Sequence, residues 1–436
     1  MNRKHVAWLY EQLPDWVERG IVSAESAEKV RQRYGEAERG GRHWAVLVFG
    51  ILGGALIGAG IILLLAHNWE DLTRPVRAVL SFAPLVLAQA LAGYVIWKRR
   101  ESAAWCEGAG TFWTLAIGAT ISLVAQTYNL SGDFGAFMLT WILAALPIVY
   151  LLNSSAAAML YWSGATAWAG YEVSHDGSHA LFWPLLALAL PQLWMAARIN
   201  RYQPRVGWML LVLAVCGAFG VGFSVADRFS HSWVPVFAGY FAALYMIGAA
   251  WFDEGRTSWQ RPLQTIGALG VIALTIVFSF RFCLKEFWQL NDWTAFRSAW
   301  PDEWPDATVA ALCPLAALAL WGHAWMRRDP VALLFGGLPV LTLVASPLHG
   351  ENNLVVLIVL MNLYALGLGV GLITIGVRDQ RLGVVNLGLL VTATLIIARF
   401  FDSDMSFVVR GLAFIGVGIG FLVANVALVR RMRGAR

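Results

Sequence analysis

Long apolar runs alternate with short polar segments along almost the whole chain, and this alternation predicts the fold. Each run approaches the roughly 20 residues that an α-helix needs to cross the hydrocarbon core of a bilayer. A helix also satisfies its own backbone hydrogen bonds, which hydrocarbon cannot do. We therefore predict an all-α, polytopic integral membrane helical bundle of about 14 transmembrane helices. The predicted spans are residues 44–66, 76–97, 109–128, 134–152, 154–172, 180–199, 206–226, 232–252, 262–283, 307–326, 330–347, 354–376, 382–400 and 405–429.

The composition agrees with this pattern and excludes a soluble globular protein. Of the 436 residues, 58% are hydrophobic and 14% are charged, whereas soluble domains carry about a quarter charged residues. The four cysteines lie far apart in the sequence, and no pair has the spacing of metal ligands. The sequence therefore predicts no metal site, no cofactor and no catalytic residue.

Basic residues predict how the chain is oriented in the membrane. If the N-terminus is cytoplasmic, about three quarters of the 32 Lys and Arg residues fall in cytoplasmic segments, as the positive-inside rule requires. The tight turn at 153–155 carries no charge that would fix its side. We expect both termini in the cytoplasm, and we attribute the net charge of +5 to this topology, not to nucleic-acid binding. The first 43 residues lack the apolar core of a cleavable signal peptide, so none is expected.

The first 43 residues form a predicted cytoplasmic helical hairpin. Apolar residues recur there at intervals of three and four, Gly20 is placed to end the first helix, and Ser23 is placed to cap the second. Pro14 is expected to interrupt the first helix. A hairpin this small buries little core, so it either caps the bundle or docks a cytoplasmic protein. The predicted domains are the hairpin at 1–43, the transmembrane bundle at 44–429 and a basic cytoplasmic tail at 430–436.

Several stretches resemble one family of bacterial membrane proteins. They are the spaced residues Trp16, Gly20, Ile21, Ser23 and Tyr34, the segments GALIGAGIILLLAHNW and GATISLVAQTYNLSGD, and the closing ARFFDSDMSFVVRGLAFIGVGIGFLVAN. The pattern resembles the bacterial polytopic membrane proteins grouped as domain of unknown function 2157 (DUF2157), most clearly over the hairpin, the first four spans and the last two. The resemblance implies a multi-pass protein of the bacterial cytoplasmic (inner) membrane, and it implies no activity.

Three predicted spans that run outward end in a similar way, and their ends supply the candidate site. In each, an alanine is followed by a polar residue, an aromatic residue, and an amide or acid, as in Ala125, Gln126, Tyr128 and Asn129. One explanation of this similarity is a diverged internal repeat. The other is chance, because aromatic and polar residues are common at interfacial helix ends. The candidate substrate-binding residues are His67, Asn68, Glu70, Asp71, Gln126, Asn129, Asp133, Arg399, Asp402, Asp404 and Arg410.

Charge pairing among these candidates leaves two interpretations open. Arg399 and Asp402 have the i, i+3 spacing of a helical ion pair, and Arg410 inside the last span needs an acidic partner. One interpretation is a network that pins helix ends together at the extracytoplasmic rim. The other is a polar vestibule that binds an anionic or zwitterionic headgroup or solute.

Within the predicted spans, polar residues are few and glycines are frequent. Gln89, Asn362 and Asn386 are neutral amides, which usually form hydrogen bonds between helices. Glycines recur every two residues at 367, 369 and 371, and we expect them to allow close helix crossings. No span carries a central Asp, Glu or Lys, which argues against a proton- or sodium-coupled transporter with a relay at the midplane.

Three classes of function stay open. A transporter or lipid-translocating, flippase-like carrier would use the vestibule and a polar path toward Gln89, Asn362 or Asn386. A sensor or scaffold would need only the packed bundle and the hairpin as a docking site for a cytoplasmic partner. A membrane enzyme acting on a lipid headgroup is the least favoured, because the short outer loops leave little room to enclose a substrate. We favour the carrier, in contact with membrane lipids, because so many spans exceed what anchoring a small hairpin requires.

Overall fold

The computed structural model describes residues 3–34, 72–175, 177–225, 233–252, 260–288, 304–345, 348 and 353–400, together with the isolated positions 408, 411, 412, 415, 418 and 419. All elements of regular secondary structure within these ranges are helices. The predicted all-α class and the predicted class of polytopic membrane protein are both confirmed.

Sixteen α-helices lie in the part of the chain that the structure describes, and a short π-helix, Val95–Arg99, directly follows α3. They are α1 Arg3–Glu18, α2 Ala24–Tyr34, α3 Arg74–Tyr94, α4 Ala103–Tyr128, α5 Phe134–Leu151, α6 Ser155–Ser174, α7 Phe182–Leu188, α8 Leu190–Ile199, α9 Pro204–Val225, α10 Trp233–Trp251, α11 Pro262–Val277, α12 Arg281–Trp288, α13 Trp304–Arg327, α14 Pro330–Ala345, α15 Leu354–Arg378 and α16 Leu382–Phe400.

Twelve of the predicted spans coincide with these helices. The other two, 44–66 and 405–429, lie outside the described residues except for a few isolated positions. The apolar helices α11 and α14 and the stretch Leu382–Ala398 of α16 are shorter than the other candidate spans, and the count of fourteen is not confirmed. The segments long and apolar enough to cross a membrane are Arg74–Arg99, Ala103–Tyr128, Phe134–Leu151, Phe182–Ile199, Pro204–Val225, Trp233–Trp251, Trp304–Arg327 and Leu354–Arg378.

The predicted span 262–283 ends earlier than expected. α11 stops at Val277, and α12 begins at Arg281 after a short turn. The turn leaves the carbonyl of Ser279 outside a helix, and Asn362 Nδ2 of α15 donates to it at 3.4 Å. The same Nδ2 donates to Ile358 O at 2.7 Å within α15. Asn362 therefore joins α15 to the turn between α11 and α12, and not to another helix.

Residues 1–78 form one compact unit, and α1 and α2 within it have the predicted turn signals. Gly20 adopts φ +70° just after α1, and Ser23 Oγ accepts a hydrogen bond from the N–H of Ser26 at 3.2 Å. The interruption expected at Pro14 is wrong, because α1 continues to Glu18. Proline removes only its own N–H donor, and the rest of this helix keeps its hydrogen bonds.

Residues 79–436 form the second compact unit, and its interior is apolar. One cluster of buried side chains comes mainly from α3 to α9, and another comes from α10 to α16. α6 contributes many buried residues to the first cluster, and Ala157, Tyr161 and Trp162 have no exposed surface. It packs against α4, α5 and α9. Because its neighbours are protein and not lipid, α6 tolerates the serines and threonine that lower its mean hydropathy.

Close packing at glycines is confirmed for two of the three positions predicted in α15. A Cβ added at Gly388 of α16 would lie 2.7 Å from the carbonyl oxygen of Gly369, so α15 and α16 cross closely there. A Cβ at Gly371 would lie 2.8 Å from the side chain of Leu334 in α14. A Cβ at Gly367 would have no heavy atom within 4 Å, so the expectation is wrong for that residue.

Candidate functional site

The predicted span 180–199 is not one continuous helix, because it breaks at Ala189 between α7 and α8. Ala189 has φ −99° and ψ 0°, at the edge of the helical region. Pro191 has no N–H to donate to the carbonyl of Ala187, and proline is favoured in the first turn of a new helix. The predicted span is therefore one segment of crossing length that consists of two helices in series.

Aromatic side chains from α5 and α6 satisfy the carbonyls that the break releases. Because hydrocarbon supplies no alternative donor, these side chains make a broken helix tolerable inside a membrane. Tyr161 and Trp162 reach the break from the buried centre of α6. The donated hydrogen bonds run from Tyr161 Oη to Leu185 O at 2.8 Å, from Trp162 Nε1 to Leu186 O at 3.0 Å, and from Tyr150 Oη to Leu188 O.

The first turn of α8 holds a fully buried glutamine. Gln192 has no exposed surface, and its Nε2 donates to Asn153 Oδ1 at 2.5 Å. Asn153 has φ +50° in the tight turn between α5 and α6. Asparagine tolerates this left-handed conformation better than most residues, because its short polar side chain bonds locally. The amide–amide hydrogen bond therefore ties the broken helix to the α5–α6 turn.

Glu107 of α4 caps the start of α6. Ser154 Oγ donates to Glu107 Oε2 at 2.8 Å, and it accepts a hydrogen bond from the N–H of Ala157 at 3.1 Å. The N–H of Ser155 donates to Glu107 Oε1 at 3.0 Å, and the N–H of Ala156 donates to Oε2 at 2.8 Å. A carboxylate is stabilised there, because the first N–H groups of a helix lack partners within it and carry the positive end of the helix dipole.

Gly110 allows α4 to approach this turn. A Cβ added at Gly110 would lie 2.7 Å from both Cβ and Oγ of Ser154. Real Cβ atoms do not come so close, so any larger residue would push α4 away from the start of α6. Gly110 lies one turn after Glu107 on the same helix, and the absence of its side chain brings the Glu107 carboxylate within hydrogen-bonding distance.

We call Glu107, Asn153, Ser154, Ser155 and Gln192 the polar cluster. Two of its oxygen atoms, Gln192 Oε1 and Ser155 Oγ, are buried and form no hydrogen bond with the described residues. Gln192 is 0% exposed and Ser155 is 2% exposed. A buried polar atom without a partner costs about 1–3 kcal/mol. A ligand or an ordered water molecule can satisfy such atoms.

A second polar contact lies near the other end of α7. His179 Nε2 is 3.2 Å from Asp306 Oδ1, and the two side chains are 15% and 19% exposed. Asp306 belongs to the first turn of α13. The contact therefore links the chain just before α7 to the start of α13.

Within the described ranges, no three or more His, Cys, Asp or Glu side chains lie close enough to hold a metal ion. Cys106 and Cys216 are buried, and Cys283 and Cys313 are partly buried. The acceptors of the polar cluster are amide, hydroxyl and carboxylate oxygens. These are ligands for a hydrogen-bond donor or a hard cation, not for a soft transition metal.

The structure describes three of the predicted vestibule side chains, all at the junction of α4 and α5. Gln126 is exposed in the last turn of α4, and Asn129 follows it with φ +48°. Asp133 Oδ1 accepts a hydrogen bond from the N–H of Ala136 at 2.5 Å and so caps α5. Arg399 lies in α16, but its side chain is not among those described. The remaining candidates lie outside the described residues: His67, Asn68, Glu70, Asp71, Asp402, Asp404 and Arg410.

The intramembrane amides do not line up as the polar path that a carrier was expected to use. Gln89 of α3 and Asn386 of α16 are exposed on their helices. Asn362 is engaged with two backbone carbonyls, as described above. The described buried amide with an unpaired oxygen is Gln192 instead.

Roughly the first third of the chain matches a known family. Residues 14–158 match the family model described as "Predicted membrane protein (DUF2157)". No curated protein and no solved structure matches the chain. The family match confirms the resemblance over the hairpin and the first spans, whereas the closing segment 398–425 lies outside the matched residues.

The DUF2157 match includes four of the five residues of the polar cluster, and Gln192 lies beyond it. Sequence reasoning missed the cluster, because it placed Glu107 outside the span predicted at 109–128 and placed Gln192 within an apolar run. Two signals were present in the sequence. Three small polar residues at 153–155 separate two apolar runs, and Gln192 directly follows Pro191.

Proposed function

We propose that this protein is a multi-pass membrane carrier whose binding site is the polar cluster beside the break between α7 and α8. The observation that carries this proposal is the buried, unpaired Oε1 of Gln192 in the first turn after a helix break. Membrane carriers commonly build substrate and coupling-ion sites at discontinuous helices, because the break presents polar groups inside the membrane. A purely structural glutamine would be expected to have both ends of its amide satisfied.

The break also supports movement. α7 and α8 meet at Ala189, where the backbone leaves regular helix, and Pro191 removes one of the hydrogen bonds that would stiffen the joint. The other released carbonyls are bonded to side chains of α5 and α6. Such side-chain bonds can re-form in a second arrangement, and a carrier needs two arrangements in order to expose one site to each side in turn.

We propose that the predicted rim residues form the opposite entrance. Gln126, Asn129 and Asp133 lie at the ends of α4 and α5 remote from Glu107 and Asn153, so they are one helix length away from the polar cluster. With both termini in the cytoplasm of a bacterium, as the basic residues indicate, this entrance would be extracytoplasmic. A transported solute or a lipid headgroup would move between these two ends.

Access to Ser155 from the two sides of the membrane tests the carrier. The four native cysteines are replaced by alanine, Ser155→Cys is introduced, and the protein is reconstituted into liposomes. A membrane-impermeant thiol reagent is then added to either side. A carrier that alternates its access should be labelled at residue 155 from both sides, because the site opens to each in turn.

Thr342→Cys in the same background is the matched control. Thr342 is also fully buried, but it lies in α14 and its Oγ1 donates to Pro339 O at 3.0 Å. It should stay unlabelled from both sides. Labelling of Ser155→Cys from one side only, or from neither, would contradict a carrier and leave the cluster as a packing feature.

A second candidate function, docking of a cytoplasmic protein by the hairpin, has one observation in its favour. Ile21 lies in the turn between α1 and α2 and is 66% exposed, whereas Leu13 and Ala27 of the same hairpin are buried. An exposed isoleucine at a turn presents apolar surface on which a partner can pack. A photo-crosslinking residue at position 21 in intact cells should yield one discrete adduct if the hairpin docks a protein, and a crosslinker at the exposed Glu28 serves as the control.

A further inference from the structure

We infer that the polar cluster binds a small monovalent cation, either a sodium ion or a primary ammonium group. This inference rests on the proposed carrier, because it names the ligand class of the same site. Three observations support it: the balance of donors and acceptors in the cluster, the charge of Glu107, and the burial of the two unpaired oxygens.

The hydrogen-bond donors at the start of α6 are used. The Ser154 hydroxyl and the N–H groups of Ser155 and Ala156 all donate to the Glu107 carboxylate. Gln192 Nε2 donates to Asn153 Oδ1. An anionic ligand would have to displace Glu107 from these donors, so the cluster is not arranged to receive an anion.

Several oxygen atoms of the cluster can still accept a hydrogen bond or coordinate a cation. Gln192 Oε1 and Ser155 Oγ have no donor among the described residues. Asn153 Oδ1 and the carboxylate oxygens of Glu107 each have further lone pairs beyond the bonds that they accept. A ligand for this set of oxygens must bring hydrogens to donate or a positive charge to coordinate.

The charge of the cluster favours a single positive charge. No Lys, Arg or His in the described ranges lies within 4.0 Å of Glu107, and the nearest compensation is the start of α6. A helix N-terminus supplies about half an elementary charge, which leaves part of the carboxylate charge unbalanced. A monovalent cation would neutralise the remaining negative charge of the carboxylate. A divalent cation would leave the cluster with a net positive charge.

The chemical types of the oxygen atoms restrict the class of ligand further. Amide, hydroxyl and carboxylate oxygens are the ligands of hard cations, and the same oxygens accept hydrogen bonds from an ammonium group. The sequence argued against sodium coupling, because no ionisable residue was assigned to the interior of a span. The structure begins α4 at Ala103, which places Glu107 within the helix, and the α5–α6 turn links it to Gln192, because Ser155 bonds Glu107 and Asn153 bonds Gln192.

Cation-dependent stability of the purified full-length protein tests the inference. Thermal unfolding in detergent micelles is followed by tryptophan fluorescence in sodium, potassium or methylammonium chloride, with N-methylglucamine chloride as the reference at equal ionic strength. Binding should raise the unfolding temperature in a saturable way with sodium or with methylammonium, because a ligand of the folded state stabilises it by mass action. A response to sodium identifies the free ion, and a response to methylammonium identifies an amine such as that of a lipid headgroup.

Two variants and a matched control locate the site. Ser155→Ala removes a hydroxyl that makes no described hydrogen bond, and it should weaken the apparent cation affinity about tenfold. Gln192→Leu should abolish the response. Gln89→Leu makes the same chemical change at an exposed position of α3 and should leave the response equal to that of the unchanged protein.

Absence of any difference between the cations and N-methylglucamine would overturn the inference. An unchanged cation affinity of the Ser155→Ala variant would also overturn the inference. This test can be made even if Gln192→Leu fails to fold. The outcome is separable from the test of the carrier. Labelling of residue 155 from both sides without a cation response would refute cation binding and support the carrier. A cation response with labelling from one side only would support the cation site and refute transport.

Discussion

Glu107 and Ser154 are 47 positions apart in the sequence, and the Ser154 hydroxyl donates to the Glu107 carboxylate at 2.8 Å. This hydrogen bond joins α4 to the start of α6 at the point where Gly110 permits the close approach of the two helices. The carboxylate supplies the charge that the α5–α6 turn lacks in its own sequence. Its contacts lead to the first two of four predictions about stability.

Replacing Glu107 should destabilise the protein. Glu107→Ala leaves the hydroxyl of Ser154 and two backbone N–H groups without an acceptor, and we expect a loss of about 2–3 kcal/mol in the free energy of unfolding. Glu107→Gln keeps one acceptor oxygen and should lose about half as much. Equilibrium unfolding in mixed micelles measures both. Glu101→Ala, at an exposed position just before α4, is the control and should change the free energy by less than about 0.5 kcal/mol.

Gly110→Ala should be destabilising by about 1–3 kcal/mol, because the added Cβ would lie 2.7 Å from Ser154 and would force α4 and α6 apart. Gly108→Ala, two residues earlier on the same helix, has no heavy atom within 4 Å of the added Cβ. It should be neutral or stabilising by up to about 1 kcal/mol through helix propensity. Thermal unfolding of the pair in the same detergent checks the difference, and equal effects at 108 and 110 would show that the contact is not tight.

Removing one hydroxyl should loosen the helix break. Tyr161→Phe takes the donor away from Leu185 O in the buried interior, and we expect a loss of about 0.5–2 kcal/mol with faster amide exchange confined to α7 and α8. Hydrogen-exchange mass spectrometry resolves these helices by peptide. Tyr128→Phe removes a hydroxyl from a tyrosine that is 54% exposed and should leave exchange unchanged. Uniform exchange across the protein in Tyr161→Phe would argue against a local role.

The crossing of α15 and α16 gives a similar contrast between two glycines. Gly388→Ala places a Cβ 2.7 Å from the carbonyl oxygen of Gly369, a backbone atom that cannot turn aside, and should lower the free energy of unfolding by about 1–3 kcal/mol. Gly367→Ala adds a Cβ that meets no heavy atom within 4 Å and should be tolerated. Steric-trapping measurements in bicelles suit this comparison, and a destabilised Gly367→Ala would contradict the packing.

Local signals in the sequence predicted the local structure well. Gly20 and Ser23 mark the turn between α1 and α2, because a left-handed residue and a side-chain cap act within a few positions of the helix ends they serve. Apolar runs predicted the positions of α13 and α15 within a few residues, since the length of a run and its lack of charge decide whether it can enter a bilayer.

Local signals failed where a remote partner decides the outcome. Pro184 and Pro191 both lie in the span predicted as one helix, and the break occurs beside only one of them. Pro184 lies in the first turn of α7, where proline is tolerated, and the carbonyls released beside Pro191 are bonded by Tyr161 and Trp162 of another helix. The shortened α11 follows the same logic, because Asn362 of α15 bonds the carbonyl of Ser279.

The sequence by itself determined that the chain is a multi-pass helical membrane protein. The free energy of transferring a segment into lipid depends on the hydrophobicity of that segment and not on the segments that pack beside it. Only the tertiary structure decided which polar residues meet. Glu107, Asn153 and Gln192 come from three separate helical regions, and a buried polar group is satisfied by whichever donor or acceptor the packing brings within about 3 Å. The candidate site therefore became visible only when α4, the α5–α6 turn and α8 were placed together.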